Sequence, residues 1–399
     1  MNTADLANER VFAEIKHLCL MGFDSTTLRQ RFTERLGRAV PFEGYVAFTM
    51  DPSSGLITHA LAEEMGGEKE TRFFLEHVLF EDEILEFNWM MRNRLPVGLL
   101  SEATGGKLEQ ALRYRELIGP AGFGYELRGA FSTGSTQLWG GLCLSREKGR
   151  PNFDARAVTL IRRVAPHLGA GLRAASLRQE LHDDQVSDDA AGVLVLDRWG
   201  TVVQHNAAAE RRLREIGDLG VGWREGEGLP APIWTVLGAL KRALRPETDR
   251  ELNSSPYLRV RGRSGRWLTL QASRTEPTHA RPAESMVIIA PAGPKEVLRL
   301  TASGYGLSPR EQEVVELAVR GASTKEISRA LYISEYTVKD HLKNIFGKVG
   351  GEGPQGPRQA TLPRHHLPVA IPRTPRQEAR IGKLNGCVFS CSRRGGTWT

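Results

Sequence analysis

The 399-residue chain contains no apolar run approaching the ~18 residues that a bilayer-spanning helix requires. Its first ten residues, Met1 to Arg10, lack the basic-then-apolar pattern of a signal peptide. Cysteine is scarce: Cys19, Cys143, Cys387 and Cys391 are too few and too scattered for a disulfide framework. Together these absences lead to the expectation of a cytoplasmic protein with no membrane partner. Catalytic signatures are missing as well, since there is no HExxH, no G-x-x-x-x-G-K-[ST] and no G-x-S-x-G. Gly119 to Gly124 is glycine-rich, but its spacing suits a turn before a strand and not a dinucleotide loop. Cys387 and Cys391, with His365 and His366 upstream, lie in Pro/Gly/Arg-rich surroundings that offer a zinc ion no ordered frame. No acidic pair follows a buried first strand, so control by a ligand or partner is expected in preference to phosphorylation. The expectation is a non-enzyme with no cofactor and no metal.

Hydrophobic residues make up 40% of the chain and charged residues 25%, which excludes a fibrous or wholly disordered protein. The length suits about two or three domains. The net charge of +7 is unevenly placed. Residues 351–399 carry eight basic against two acidic side chains and so account for +6 of it, leaving the body nearly neutral. A nucleic-acid partner must therefore be argued from local geometry and not from the overall charge.

The N-terminal part mixes helix and strand periods. Residues 9–37 read as helical, with Val11, Ile15 and Leu18, then Leu28, Phe32 and Leu36, at helical spacing. Gly44–Met50 reads as a strand, Asp51–Gly55 as a turn and Leu56–Ala60 as a second strand. A second hairpin is predicted between Leu127–Ser132 and Gln137–Ser145, and Asp154 is placed to cap a long helix through about Leu181. A new module begins near residue 188, with Val193–Asp197 and Thr201–Asn206 as a hairpin and Ala207–Ile216 as a helix. A helix around Trp234–Leu244 follows, then a hairpin in which Leu258 and Val260 face Leu268 and Leu270, and a last strand at Met286–Ala290. The fold class expected is multidomain: two α+β modules, an all-α segment and a tail.

The all-α segment, residues 300–350, carries the densest signal. Ser308-Pro309-Arg310-Glu311 combines a capping serine, a proline at the first helical position and a glutamate that closes a capping box. That helix should stop at Gly321. Ser323-Thr324-Lys325-Glu326 opens a short second helix, and Ser334 caps a third over residues 335–349. Three helices with tight breaks describe a helix-turn-helix. In the third, Val338, Leu342, Ile345 and Val349 recur on one face, while Tyr336, Lys339, Asp340 and Lys343 lie on the other. One face packs and the other is free to enter a major groove. Lysine can donate to guanine and aspartate can accept from cytosine, whereas Lys325, Ser334 and Thr337 sit at helix starts suited to phosphates. The chain has eleven lysines, four of them (Lys325, Lys339, Lys343, Lys348) in this segment, which favours a DNA-facing surface. A solvated lysine face, or a bundle with no ligand, is the bland alternative. His341 is expected to pack or to face phosphate and not to bind metal.

These residues resemble the LuxR/GerE-type helix-turn-helix of bacterial transcription regulators. Leu307 to Glu311, Gly321, Ser323 to Ile327, Ile333-Ser334 and Thr337 to Leu342 carry the resemblance, which covers about an eighth of the chain. It implies base contacts by Lys339, Asp340 and Lys343, and backbone contacts by Lys325, Ser334, Tyr336 and Thr337. Residues 1–182 resemble a GAF domain with a long C-terminal helix. Residues 188–292 resemble a PAS domain, through Gly192–Asp197, Gly200 and Asn206–Glu210. The expected function is sequence-specific transcriptional regulation, controlled by a small ligand or partner through the N-terminal half. The alternative is a ligand-binding or interaction module with a vestigial DNA-binding domain. Expected partners are double-stranded DNA, a second copy of the chain, a small molecule in either module, and RNA polymerase. The Asp154–Leu181 helix is the candidate dimer contact.

The tail departs from the family. A fourth helix is expected after Gly350, yet residues 351–359 hold three glycines and two prolines, which break any helix. Read one nucleotide later, codons for this stretch can spell Val-Arg-Asp-Arg-Lys-Asp-Leu-Val, a basic turn and helix start. The expectation is a frameshift near codon 350, with residues 351–399 disordered.

Overall fold

A computed structural model describes residues 3–65, 67–81, 84–133, 137–177, 190–216, 229–245, 256–278 and 282–349. The expectations for the tail, and for the long helix beyond Leu177, lie outside these residues. The chain divides into two compact units, Met1–Gln312 and Glu313–Thr399.

The first unit begins with helices α1 (Thr3–Leu20) and α2 (Ser25–Gly37). Asp24 caps α2 by accepting from the Thr26 and Thr27 amides at 2.9 Å each. Strands β1 (Gly44–Asp51) and β2 (Leu56–Glu63) form the first hairpin. Short helices follow: α3 (Glu68–Phe73), α4 (Leu79–Glu81) and α5 (Phe87–Arg92), then strand β3 (Val97–Leu99) and α6 (Leu100–Ala103). Two π-helical turns, Phe74–Val78 and Tyr114–Ile118, lie in the same region. The second hairpin joins β4 (Phe123–Thr133) and β5 (Gln137–Glu147), and Gly119–Gly122 is the turn before it. The sheet is antiparallel throughout, in the order β2-β1-β5-β4-β3.

Helix α7 (Ala155–Leu177) starts at Asp154, whose carboxylate accepts from the Ala157 amide at 2.8 Å. Its apolar stripe, Ile161, Val164, Leu168 and Leu172, is buried on β4 and α1. The helix presses against β4 so closely that a Cβ on Gly169 would lie 2.4 Å from the Ser132 carbonyl oxygen. The exposed side of α7 mixes Arg156, Thr159 and Arg162 with Ala155, Pro166 and Ala174.

The second sheet is formed by β6 (Gly192–Leu196), β7 (Val202–His205), β8 (Tyr257–Arg261), β9 (Trp267–Arg274) and β10 (Ser285–Pro291). It too is antiparallel, in the order β7-β6-β10-β9-β8. Counting strands within each sheet, the two orders are the same. The hairpin register pairs Leu258 with Leu270 and Val260 with Leu268, and all four side chains are buried. Helices α8 (Ala207–Ile216) and α9 (Ala231–Ala243) complete this half, and α10 (Pro294–Gly304) follows β10.

One apolar cluster lies between α1, α2, α7 and the first sheet, with Phe32, Phe131 and Ile161 in it, and a second is shared by the two sheets. Phe48, Ile57, Leu75 and Phe80 belong to one apolar cluster with Leu194, Trp234, Val236 and Leu258. Helix α9 packs on β2 and on the turn Phe74–Val78, where a Cβ on Gly238 would stand 2.6 Å from the Leu75 carbonyl oxygen. A buried ion pair crosses the same boundary. Arg259 on β8 donates from Nη2 to Asp51 Oδ1 at 2.8 Å and from Nε to Asp51 Oδ2 at 3.2 Å. Its backbone amide reaches the same Oδ2 at 2.9 Å, and its Nη1 reaches the Glu296 carbonyl on α10 at 3.3 Å.

A second buried charge cluster braces the first sheet. Glu126 accepts from Arg113 at 2.7 Å and from Arg128 at 3.2 Å. Burial alone would raise the Glu126 carboxyl, but the two guanidiniums outweigh it and hold the group below its ordinary range. Burial also pushes the Cys19 and Cys143 thiols up to about 12. Among the described residues, no helix is long and apolar enough to cross a membrane.

Candidate nucleic-acid interface

Helix α11 (Pro309–Val319) opens with the expected capping box: the Ser308 amide donates to Glu311 Oε2 at 2.6 Å, and the Glu311 amide donates to Ser308 Oγ at 3.3 Å. Past its end, Gly321 adopts φ +85°, a left-handed conformation that glycine reaches without strain. Helix α12 (Thr324–Leu331) begins with a second box, in which the Ser323 amide donates to Glu326 Oε2 at 2.7 Å. The bond from the Ser323 side chain is the largest influence holding the Glu326 carboxyl below its ordinary range.

The turn into the third helix is built by Tyr332 and Ser328. Tyr332 takes the left-handed conformation, φ 54° and ψ 42°, and ends α12. The Ile333 amide then donates to the Ser328 carbonyl at 3.1 Å, and Ser328 Oγ donates to the Ile333 carbonyl at 2.5 Å. Helix α13 (Glu335–Val349) starts at Ser334, whose Oγ accepts from the Thr337 amide at 3.0 Å. The two hydroxyls of Ser334 and Thr337 are also bonded to each other at 2.8 Å.

The faces of α13 separate as the spacing predicts. Val338 and Ile345 are buried, Leu342 and Val349 half-buried, and α12 packs against this helix. Ile327 supplies the buried position of α12, and Val314 and Val315 those of α11. On the other side Tyr336, Lys339, Asp340 and Lys343 are all exposed. Lys325 and Ser334 are exposed at the helix starts, Thr337 is half-buried, and His341 is half-buried beside Leu342. Among the described residues, none of Lys325, Lys339 and Lys343 is held in an ion pair, so these ammonium groups remain available to an external anion. No group of three or more metal-binding side chains is present among the described residues.

Two neighbours of this surface were missed by sequence reasoning. Tyr332 is 95% exposed, an aromatic ring standing out of the turn, and Arg329 is exposed on α12 just before it. The signal available was the position of Tyr332 between the end of one helix and the Ser334 cap of the next, where no core position exists to receive it.

Residues 305–353 match the family model described as bacterial regulatory proteins, luxR family. The C-terminal domain is a LuxR-family helix-turn-helix. This LuxR-family segment is 49% identical over 47 residues to the spore germination protein GerE of Bacillus subtilis (strain 168), covering 12% of this chain and 64% of GerE. It is 51% identical over 43 residues to the CsgBAC operon transcriptional regulatory protein of Escherichia coli (strain K12), covering 11% of this chain and 20% of that protein. The chain thus spans less than two thirds of either relative. A solved structure titled as the LBD domain of VqsR from Pseudomonas aeruginosa overlaps 43% of this chain and 98% of its own, at 16% identity and a TM-score of 0.30. At that score the overlap assigns no fold to the N-terminal half.

Proposed function

We propose that this protein is a sequence-specific, DNA-binding transcription regulator whose N-terminal half responds to a small ligand or partner. The observation that carries the reading is the exposed face of α13. It presents two unpaired lysines one helical turn apart, mounted on a helix whose opposite face is packed. Lys339 and Lys343 donate to guanine edges, and Asp340 accepts from a cytosine amino group and selects against other bases. Lys325, Ser334, Tyr336 and Thr337 hold phosphates and fix the register of the helix on the duplex. The hydroxyls of Ser334 and Thr337, already bonded into the cap, lend the phosphate a preset geometry.

Residues 1–182 act as a GAF-like module and residues 188–292 as a PAS-like module. The shared strand order of the two sheets supports reading them as related sensory units. Residues 300–350 form the DNA-binding segment, and the regulator works as a dimer on an inverted repeat, because one short helix-turn-helix reads too few base pairs. The Asp154–Leu181 helix is the candidate for part of the contact, and sedimentation that shows only monomer, with and without operator, counts against the dimer.

Selection of bound duplexes from a random pool tests the whole reading. The expected result is a recovered consensus whose affinity falls steeply with salt. Lys339→Ala and Lys343→Ala should each cost about 1–3 kcal/mol of specific binding, while Lys325→Ala should weaken all sequences alike. No enriched sequence, or both α13 variants binding like wild type, would favour the vestigial alternative.

A further inference from the structure

Helix α12 packs against α13 and buries Ile327. Lys325, two positions before Ile327, and Arg329, two positions after it, lie about half a turn away on the opposite side of the helix. Both are exposed, and at a spacing of four they are neighbours along one face. Tyr332 follows three positions later, at the residue that ends the helix, and is 95% exposed. The outer side of α12 therefore carries an ammonium, a guanidinium and a phenol hydroxyl in a row. The one acid of the helix, Glu326, is engaged elsewhere: its Oε2 accepts from the Ser323 amide and the Ser323 hydroxyl, each at 2.7 Å. Two cations against one acid leave this side of α12 positive.

Nothing in the fold asks for a tyrosine at 332. Its backbone, φ 54° and ψ 42°, is unfavourable for any residue with a Cβ and open to glycine. Glycine or asparagine is the usual residue at the left-handed end of a helix, and Gly321, before α12, follows that preference. A ring 95% exposed adds no burial to offset the backbone. A residue held in such a conformation with no gain in packing points to a task outside the fold. The ring also stands where the two helices join, since Tyr332 and Tyr336 lie two positions to either side of the Ser334 that caps α13.

We propose that Arg329 and Tyr332 grip the sugar-phosphate backbone of the duplex that α13 enters, extending the row that begins at Lys325. The inference rests on DNA binding by α13, and it adds the strand contact that holds that helix in its groove. Charge and place together name the occupant. When the second helix of a helix-turn-helix lies in the major groove, the first crosses the backbone, and here the outer side of the first is a row of donors. Arg329 brings a planar fork that suits phosphate oxygens, and Tyr332 brings a neutral hydroxyl.

Backbone contacts do not depend on sequence, so a labelled duplex of mixed sequence is the probe. Its binding to the full chain is followed by fluorescence anisotropy between about 50 and 200 mM salt. Arg329→Gln should weaken binding and flatten the slope of log affinity against log salt by about 1, and Arg329→Lys should keep the wild-type slope. Tyr332→Phe should weaken binding about three- to tenfold with the slope unchanged. Both positions are exposed, so these variants should unfold like wild type. Tyr332→Gly separates contact from fold: amide exchange in α12 and α13 should slow while binding weakens. A wild-type slope in Arg329→Gln overturns the proposal, and so does wild-type affinity in Tyr332→Phe or Tyr332→Gly. A loss confined to the duplex recovered by selection also overturns it, because that marks a base contact. The selection keeps the two readings apart. A recovered consensus, with variants that bind like wild type, sinks this inference alone. Variants that lose affinity in a protein that enriches no sequence sink the sequence-specific reading alone.

Discussion

Replacing Asp51 by alanine removes the carboxylate at the centre of the contact between the two sheets. In the native fold that carboxylate accepts five hydrogen bonds: three from Arg259, and two from Ser53, through its amide at 3.0 Å and its hydroxyl at 2.9 Å. Both charged side chains are buried, Asp51 with its side chain 0% exposed and Arg259 at 4%. Without Asp51 the guanidinium keeps its charge while almost wholly buried, and breaking a buried pair in this way costs about 3–5 kcal/mol. Arg259→Met should cost a similar amount for the converse reason. The double variant leaves no uncompensated charge, so its loss should fall short of the sum of the single losses by at least about 1 kcal/mol. For a unit of this size, 3–5 kcal/mol corresponds to a drop of roughly 5–8 °C in unfolding temperature. Differential scanning calorimetry and urea denaturation of the four proteins form the cycle. Single losses under about 1 kcal/mol, or strictly additive losses, would refute the claim that this pair joins the sheets energetically.

Gly169→Ala should destabilise the first unit by about 1–3 kcal/mol, because the new methyl meets the Ser132 backbone. Helix propensity alone predicts a gain of about 1 kcal/mol, so the sign of the change in urea midpoint decides between the two effects. Tyr332→Gly should relieve the left-handed backbone at the turn and stabilise the helix-turn-helix by about 0.5–1 kcal/mol. The readout is slower amide exchange in α12 and α13, by roughly two- to fivefold. Glu126 is held below its ordinary value of 4.5, so its stabilisation is complete above that pH and is lost as pH falls through the lowered value. Glu126→Gln should therefore be less stable at pH 7, with the gap in urea midpoint closing below about pH 4.5; a gap that widens in acid contradicts the assignment.

Elements governed by local rules were legible in the sequence. Both capping boxes, the turn at Gly321 and the two faces of α13 followed from residues within four positions of each other. So did the β8–β9 register, because alternating leucine and valine leave a single way to bury one face. Residues 64–118 were opaque. Their short helices, β3 and the two π-helical turns answer to distant partners, such as Arg113 reaching Glu126 and Arg128 reaching the Leu85 carbonyl at 3.1 Å, 43 positions away. Asp51 and Arg259 are 208 positions apart, and no periodicity connects them. Tyr332 was passed over because exposure at a turn leaves no pattern in the residues around it.

The apolar cluster that the two sheets share constrains how such a chain can be recombined. If the sheets shared no core, either could be exchanged for a counterpart from another protein by cutting in the segment between them. Here a donor replacing residues 190–291 would strip Leu75 and Phe80 of Trp234 and Val236, and leave Asp51 without Arg259. A graft that respects the packing keeps the whole first unit, through Gln312, as one piece. The unit that must be inherited whole is the pair of sheets.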